Sequence, residues 1–277
     1  MEIHLACAPS HSLPAVGRGR GQERERPARV VDNGAVMTVG INVDPNNPSG
    51  NPPARRLLAA RLQGVRLTAR DNPENRQYIA DMLAAGVQVL AIVATGDNGG
   101  FVPPHTQVVL QIFNEPDLAG PTGMDPVAYA ELFAIYRGTY PAFDCWTAGL
   151  ASGQPSYYER FLSALATRFP EVALPSAVAI HPYLQTPAGL RRLAEDYWNL
   201  TSAIPVVATE WFNPAGQGLI WPFQDTLNNP ESGVCTVWNS FFPWTIGMAP
   251  DLGGLVDENQ QCLPAGYELI SALEGAC

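Results

Sequence analysis

Short apolar runs alternate along the chain with longer amphipathic segments. The runs are apolar at consecutive positions, which is typical of parallel strands buried on both faces. Eight of them predict strands, at residues 36–43, 64–68, 87–94, 108–113, 145–150, 177–181, 206–210 and 235–241. Helices are predicted between and after them, at residues 54–62, 75–85, 126–136, 155–169, 189–200 and 265–273. This alternation of strand and helix predicts an α/β fold with a parallel sheet.

Helix-end signals support most of these boundaries. Asn72 or Asp71 lies near the start of the helix at 75–85 and Gly86 follows its end, while Asp125 stands as N-cap before a proline. The connection at 95–107 is different, because it contains three glycines and two prolines. A regular helix does not tolerate that composition. We therefore expect the third helix of the repeat to be missing or degenerate.

Eight strands with intervening helices predict a (β/α)8 TIM barrel, in a single domain at residues 35–277. The roughly 240 residues available are close to the usual size of that fold. An open doubly wound sheet is the rival architecture. It requires a glycine-rich phosphate loop after the first strand, and residues 43–48 do not provide one.

Residues 1–34 differ from the rest of the chain. They are polar and aperiodic, with Gly/Arg and Glu/Arg runs at 17–21 and 23–26, and they are predicted to be a disordered leader. No continuous apolar stretch marks a signal peptide there. Met37 precedes the first predicted strand, so one hypothesis is a translation start near Met37, and another is an artefact of gene assignment.

Charge and hydropathy exclude two classes of partner. The net charge of −10 argues against nucleic acid, which requires a basic face. No apolar run approaches the roughly 20 residues of a membrane span. The five cysteines form no CxxC pair. Cys145 and Cys235 are predicted to be core residues, whereas Cys262 and Cys277 could pair, so the redox compartment stays open.

The strongest chemical signal is a glutamate at the end of each of two predicted strands. Glu115 follows the strand at 108–113, and Glu210 ends the strand at 206–210. In a parallel barrel the C-terminal ends of the strands open onto one face, which holds the active site. Two carboxyls on that rim are the minimum equipment for cleaving a glycosidic bond.

Further residues accompany these glutamates at other strand ends. They are Asn114 and Pro116 around Glu115, Arg66 at the end of strand two, His181-Pro182-Tyr183 after strand six, Trp238 at the end of strand eight, and the run Gly-Gly-Leu-Val-Asp-Glu-Asn near the C terminus. In this order they resemble clan A of the glycoside hydrolases, the retaining (β/α)8 enzymes that include cellulases, mannanases and β-xylosidases. The resemblance spans residues 36–275. With Asp117, the Asn-Glu-Pro-Asp motif is also similar to compact glycosyl hydrolase catalytic cores, some of which cut β-1,3-glucans.

The resemblance implies a catalytic role for each glutamate. Glu115 would be the acid/base and Glu210 the nucleophile of a double displacement. Glu115 must carry a proton at the start and Glu210 must be ionised. An acidic to neutral working range is therefore expected, limited above by loss of the proton on Glu115 and below by protonation of Glu210.

The resemblance also implies supporting roles. Arg66 would favour the Glu210 anion, and Tyr183 would donate a hydrogen bond to the same carboxylate. Asn114 would bind the sugar 2-hydroxyl, Trp238 would offer a flat apolar face to the sugar, and the role of His181 would be positional.

One position departs from the cellulase branch, which has a histidine near the end of strand three. Here Asp97 or Asn98 would take its place in binding sugar hydroxyls. Trp211, Trp221 and Trp244 along the rim favour an open cleft over a pocket for a single sugar.

These observations predict a retaining glycoside hydrolase acting on an oligo- or polysaccharide of the β-glucan, mannan or xylan class. Two rivals stay open, a non-catalytic carbohydrate-binding barrel and a metal-dependent barrel lyase or isomerase. The second is disfavoured because residues 35–277 contain only His105 and His181, with no HxH or ExxH pattern. We expect a carbohydrate partner, no cofactor, no metal site and a monomer. The implied function favours an extracellular location.

Overall fold

The computed structural model describes residues 38–46, 63–118, 123–183, 192–193, 196–197, 199–201, 204–211 and 238–243. All of them lie in one compact unit that spans Asp32–Cys277. The predicted leader at 1–34 and the predicted helices at 54–62 and 265–273 lie outside the described residues. Among the described residues, no helix combines the length and the apolar character that a membrane crossing requires.

Eight parallel strands form one sheet. They are β1 (Thr38–Asn42), β2 (Gly64–Thr68), β3 (Gln88–Val93), β4 (Val109–Ile112), β5 (Cys145–Trp146), β6 (Val178–Ile180), β7 (Val206–Trp211) and β8 (Trp238–Pro243). Their order is β5-β4-β3-β2-β1-β8-β7-β6, and every pairing between neighbours is parallel. An isolated parallel bridge between Trp146 and Ala177 links the β5 and β6 ends of this series.

The two faces of the sheet carry different cores. One face packs against the helices through a large apolar cluster that includes Tyr78, Phe133 and Phe161. The other face carries a smaller cluster with no helix residue in it: Leu90, Val109, Trp146, Ala177, Ala179 and Val207. This second face also receives the polar side chains of the site, because Arg66 is in register with Leu90 on the neighbouring strand.

Three complete helices are described, each with a proline in its first turn: α1 (Pro73–Ala84), α2 (Pro126–Thr139) and α3 (Pro155–Arg168). The side chain of Asn72 caps α1 by accepting a hydrogen bond from the backbone of Asn75, and Asp125 caps α2 in the same way. Residues 192–193, 196–197 and 199–201 are also helical and fall largely within the helix predicted at 189–200.

The connection between β3 and β4 contains a single 3-10 turn, Gly96–Asn98, and no α-helix. This agrees with the prediction that the third helix is missing or degenerate. The chain reaches β4 through turns and irregular segments instead, since the glycines and prolines there do not support helical hydrogen bonding.

Two strands differ most clearly from their predicted bounds. β5 has two residues rather than six, because Thr147 accepts the backbone hydrogen bond of Ala179 with its hydroxyl instead of continuing the ladder. β8 was predicted at 235–241 and is described from Trp238 to Pro243, two residues beyond the predicted end, while residues 235–237 lie outside the described residues. The apolar run and the residues after it are both compatible with a strand, and the pairing with β1 and β7 decides the register.

Candidate active site

Arg66 is the centre of a polar cluster at the C-terminal ends of the strands. It is 2% exposed and lies on β2. Its guanidinium donates to four side chains, at 2.6 Å to Asn42 Oδ1, 2.7 Å to Gln111 Oε1, 2.7 Å to Asn114 Oδ1 and 2.7 Å to Glu210 Oε1. These partners come from β1, from β4 and its C-terminal end, and from β7, so one planar group links three strands that are not adjacent to one another in the sheet.

Glu210 is buried at the end of β7 and bound on both carboxylate oxygens. Oε1 forms the ion pair with Arg66, and Oε2 accepts a hydrogen bond of 2.5 Å from the Tyr183 hydroxyl. Burial alone would raise the pKa of Glu210, but the nearby charges of His181 and Arg66, together with the hydrogen bonds from Tyr183 and Arg66, lower the pKa below its ordinary value. The structure therefore keeps this carboxyl ionised.

Tyr183 is held in the opposite state. Burial raises the pKa of its phenol, and the Glu210 carboxylate beside it raises that pKa further. The hydroxyl stays protonated and serves as a donor to Glu210 at neutral pH. The position after β6 brings this side chain to the same rim as the end of β7, because β6 and β7 are adjacent.

Glu115 reaches the cluster through an unusual backbone. It has a φ of +48°, and Phe113, two residues before it, has a φ of +70°. Side chains rarely adopt this left-handed conformation, so surrounding contacts must hold it. One of them is the hydrogen bond of 3.0 Å from the Glu115 amide to the carbonyl of Gly149. The Glu115 carboxyl is 20% exposed and faces the same space as Glu210.

His181 lies between the two glutamates and is buried. Its Nδ1 is 3.0 Å from Glu115 Oε1, and its Nε2 is 3.6 Å from Glu210 Oε1. The ring also contacts Tyr183, with centroids 5.8 Å apart. One imidazole therefore spans the gap between the two carboxyls.

Asn114 and Asp117 flank Glu115 and hold its loop. Asn114 uses its carbonyl oxygen to accept from Arg66 and from Gln111. Asp117 accepts backbone hydrogen bonds from Ala151 and from the residue after it, at 2.9 and 2.7 Å. The loop that carries Glu115 is thus tied to Arg66 on β2 through Asn114 and to the segment after β5 through Asp117.

Five of the predicted site residues besides Glu115 meet in this cluster, and three others do not enter the described contacts. The five are Arg66, Asn114, His181, Tyr183 and Glu210. Asp97 lies in the 3-10 turn and Trp211 ends β7, and both side chains lie outside the described structure. Asn98, the alternative to Asp97, instead supports its own loop by donating to the backbone of Ala69 and Phe101.

The predicted position of Trp238 at the end of strand eight is wrong. Trp238 is the first residue of β8 and pairs with Val206, the first residue of β7. Glu210 lies at the opposite end of β7. The residue that follows β8 directly in the sequence is Trp244, which lies outside the described residues.

Sequence reasoning missed three members of the site. Asn42 links Arg66 to the backbone of Thr209 next to Glu210, at 3.0 Å. Gln111 is fully buried in β4 and accepts a hydrogen bond from Arg66. Gly149 contacts both Glu115 and His181. A glutamine inside an otherwise apolar strand was a readable signal, since a buried amide needs partners, but the role of Gly149 depends on a contact across the fold.

Glu115, His181 and Glu210 could also be considered as metal ligands. One ligand atom from each lies within 4.8 Å of the others. However, the Arg66 guanidinium already occupies Glu210 Oε1, and a cation placed beside a fixed positive charge is repelled. The electrostatics of the site favour a reaction that uses the carboxyls directly.

The sequence matches no protein-family model and no curated protein. Solved structures do match, and they share the parallel α/β arrangement of TIM-barrel glycoside hydrolases of clan A. An endo-β-1,3-glucanase of glycoside hydrolase family 128 from Amycolatopsis mediterranei, solved with laminaritriose, is 16% identical with a TM-score of 0.59, covering 86% of this chain and 100% of its own.

Two further structures represent different functions. An oligosaccharide-binding protein of glycoside hydrolase family 128 from Cryptococcus neoformans is 12% identical with a TM-score of 0.62, and the match covers 86% of this chain and 94% of that one. The catalytic domain of a mannanase from Streptomyces sp. SirexAA-E is 15% identical with a TM-score of 0.59, covering 85% of this chain and 84% of that one. At these identities the likeness concerns the fold.

Proposed function

We propose that this protein is a retaining glycoside hydrolase that cleaves β-glycosidic bonds of an oligo- or polysaccharide, on a closed (β/α)8 barrel at residues 35–277. The observation that carries the proposal is that the two carboxyls have different environments. Glu210 is buried and bound by Arg66 and Tyr183, which favour its anion. Glu115 is partly open to solvent and contacts only His181 with its carboxyl among the described side chains.

The spacing of the carboxyls supports the retaining mechanism. One oxygen of Glu115 and one of Glu210 lie within 4.8 Å. Retaining enzymes hold the two carboxyl groups about 5–5.5 Å apart, whereas inverting enzymes need about 6.5–9.5 Å to admit a water molecule between the sugar and the base. The described separation is closer to the range of the retaining enzymes.

The chemistry then follows from the two protonation states. Glu210 attacks the anomeric carbon while Glu115 gives its proton to the departing glycosidic oxygen, which forms a covalent glycosyl-enzyme. A water molecule next attacks the anomeric carbon, Glu115 takes its proton, and the Glu210 carboxylate is released. Arg66 and Tyr183 hold that carboxylate in one orientation through both steps.

Asn114 is proposed to bind the substrate at the 2-hydroxyl. Its two described hydrogen bonds both use the carbonyl oxygen. The amide NH2 group is therefore the end that can donate to a sugar, and a bond to the 2-hydroxyl strengthens toward the transition state. Asp97 and Trp211 stay proposed as further sugar contacts, with Trp244 in place of Trp238.

A β-1,3-glucan is the first substrate to test, with other β-glucans, mannans and xylans beside it. The reason is that structurally similar proteins include endo-β-1,3-glucanases and a mannanase. The second candidate is a non-catalytic oligosaccharide-binding protein, which is favoured by the similar fold of such proteins. The position of His181, with one ring nitrogen 3.0 Å from Glu115 and the other 3.6 Å from Glu210, favours the enzyme.

The deciding experiment measures release of reducing ends from this panel by the wild type and by Glu210→Gln. The enzyme proposal expects release by the wild type, a loss of at least about a thousandfold in the variant, and a first product with the β configuration by NMR. Tight binding of laminari-oligosaccharides by both proteins without release would establish the binding protein. Equal release by both would show that Glu210 is not the nucleophile.

A chelator separates the enzyme proposal from a metal-dependent reaction. We expect full activity after dialysis against EDTA, because the proposed mechanism uses only side chains. Loss of activity that returns with added divalent metal would contradict the assignment of Glu115, His181 and Glu210 to acid/base and nucleophilic roles.

A further inference from the structure

Gly149 lies just beyond β5, at the point where the loop of Glu115 and the ring of His181 come together. A Cβ atom built on Gly149 would be 2.0 Å from His181 Nε2, 2.3 Å from Cδ2 and 2.8 Å from Cε1. Real Cβ atoms do not approach other atoms so closely. The imidazole therefore occupies the volume that any other residue at position 149 would need.

The same residue also holds the backbone of Glu115. The Gly149 carbonyl accepts the hydrogen bond from the Glu115 amide at 3.0 Å. This bond stabilises Glu115 in its left-handed conformation, with a φ of +48°. Gly149 thus contacts both Glu115 and His181, the residue that binds the Glu115 carboxyl.

We propose that Gly149 is a positioning residue for the reaction, which acts by seating His181 between the two glutamates. His181 cannot retreat, because it is 1% exposed and is enclosed by Glu115, Glu210 and Tyr183. Conformational freedom is not the reason for glycine here, since position 149 does not have a positive φ. The reason is the space taken by the ring.

The position of the ring directs one nitrogen toward each glutamate. Nε2 faces the Glu210 carboxylate at 3.6 Å, and Nδ1 lies 3.0 Å from Glu115 Oε1, within hydrogen-bond distance. The charged and titratable groups that face His181 are Glu115, Glu210 and Tyr183, with Arg66 behind Glu210. By this arrangement His181 holds the Glu115 carboxyl in place beside Glu210.

Gly149→Ala is expected to displace the ring and break its contact with Glu115. In the proposed enzyme kcat should fall by about 10- to 100-fold, in the range of a general acid that is misplaced. The alkaline limb of the pH profile of kcat/KM should also move, because the Glu115 carboxyl loses its contact with the imidazole. A merely structural role would lower the yield of folded protein without moving that limb.

The matched control is Gly138→Ala on α2. No atom lies within 4 Å of a Cβ built there, and the glycine has no positive φ. This variant should keep the activity and pH profile of the wild type. A shift of the alkaline limb in both variants would contradict the proposal, because the effect would then not depend on His181.

A double-mutant cycle with His181→Ala keeps the test decisive even if Gly149→Ala folds poorly. Removing the imidazole opens the volume that the new methyl group needs. Gly149→Ala should therefore lower the melting temperature in the wild-type background and have little effect in the His181→Ala background. Equal losses in both backgrounds would overturn the proposal, since coupled residues are non-additive.

The proposal rests on the proposed function only where kcat is measured. The melting-temperature cycle and NMR titration of the His181 imidazole require no substrate. If the wild type releases no sugar but the cycle is non-additive and the His181 titration moves in Gly149→Ala, the proposed hydrolase fails and the seating of His181 stands. If the wild type is active and the cycle is additive, the seating of His181 fails alone.

Discussion

At the residue scale, the main feature is that one buried arginine determines the state of the proposed nucleophile. Arg66 makes four hydrogen bonds from a single planar group, and one of them is the ion pair with Glu210. A lysine at this position would keep the positive charge but would present it as one point on a flexible stem. It could not satisfy the four acceptors, which lie in different directions.

Arg66→Lys is therefore expected to reduce kcat/KM by at least about tenfold and to move the acid limb of the pH profile to higher pH. The sign follows because the guanidinium contributes to lowering the pKa of Glu210, so weaker pairing lets Glu210 take up a proton at higher pH. The measurement is kcat/KM across pH 3–8 on the substrate released most rapidly. An unchanged acid limb would show that Arg66 does not control the ionisation of Glu210.

Tyr183→Phe tests the second support of the same carboxylate. The variant removes the hydroxyl that donates to Glu210 Oε2 at 2.5 Å and leaves the ring in place. We expect kcat to fall by about 10- to 100-fold with little change in melting temperature, because a charge-assisted hydrogen bond is lost at a reacting oxygen. Tyr136→Phe on α2 is the matched control and should behave as the wild type. Loss of activity in the control would indicate a general effect of removing tyrosine hydroxyls.

Residue identities were predictable from the sequence where a residue type signals its chemistry at a strand end. Glu115, Glu210, Arg66, Asn114, His181 and Tyr183 were found in this way, and the structure brings them together. Gly149 could not be predicted, because its proposed role depends on its having no side chain next to His181, which lies 32 positions later in the sequence. Gln111 could have been found, since a fully buried amide in a strand must be hydrogen-bonded.

At the element scale, the apolar runs and the helix-capping residues predicted the order of strands and helices. The registers between strands are determined by their pairing in the folded protein. β2 has the predicted bounds because its apolar run and its neighbours both fix it. β5 is shorter than predicted because a threonine hydroxyl replaces a backbone partner. β8 is shifted because residues 235–243 can form a strand in more than one register, and only contacts with β1 and β7 select one.

The register of β8 predicts which tryptophan faces the substrate. Trp238 begins the strand, whereas Trp244 follows its last residue. Because active-site residues come from the C-terminal ends of barrel strands, Trp244→Ala should raise KM by about tenfold or more, in line with loss of an aromatic platform. Trp238→Ala should leave KM within about twofold and lower the melting temperature. The reverse pattern would show that the strand register differs in the working enzyme.

At the scale of the whole molecule, the ionised state of Glu210 couples stability to pH. Its pKa in the folded protein is lowered from the ordinary value of 4.5. The unfolded chain therefore binds a proton at this site more readily than the folded protein does. The contribution of Glu210 to stability is fully present above the ordinary value and is lost as the pH falls through the lowered folded value.

This linkage predicts how Glu210→Gln alters stability with pH. At pH 7 the variant should be less stable by about 1–3 kcal/mol, because Arg66 loses its buried charged partner. The difference in free energy of unfolding should shrink as the pH falls below the ordinary carboxyl value, since the wild type then loses the same charge. Urea unfolding of both proteins at pH 7, 5 and 3.5 measures it, and a gap that widens toward low pH would contradict the sign.

The hydrogen bonds around Arg66 also affect the order in which parts of the protein fold. Arg66 pairs with a residue 144 positions later, and Asn42 binds a backbone oxygen 167 positions later. Contacts between such distant parts of a chain close late in folding, because the intervening loop must first be ordered. During synthesis, the first two strands therefore leave the ribosome long before their partner on β7 exists. A nascent chain stalled before Thr209 carries Arg66 without its counter-ion, and the site is completed only by a segment from the last third of the protein.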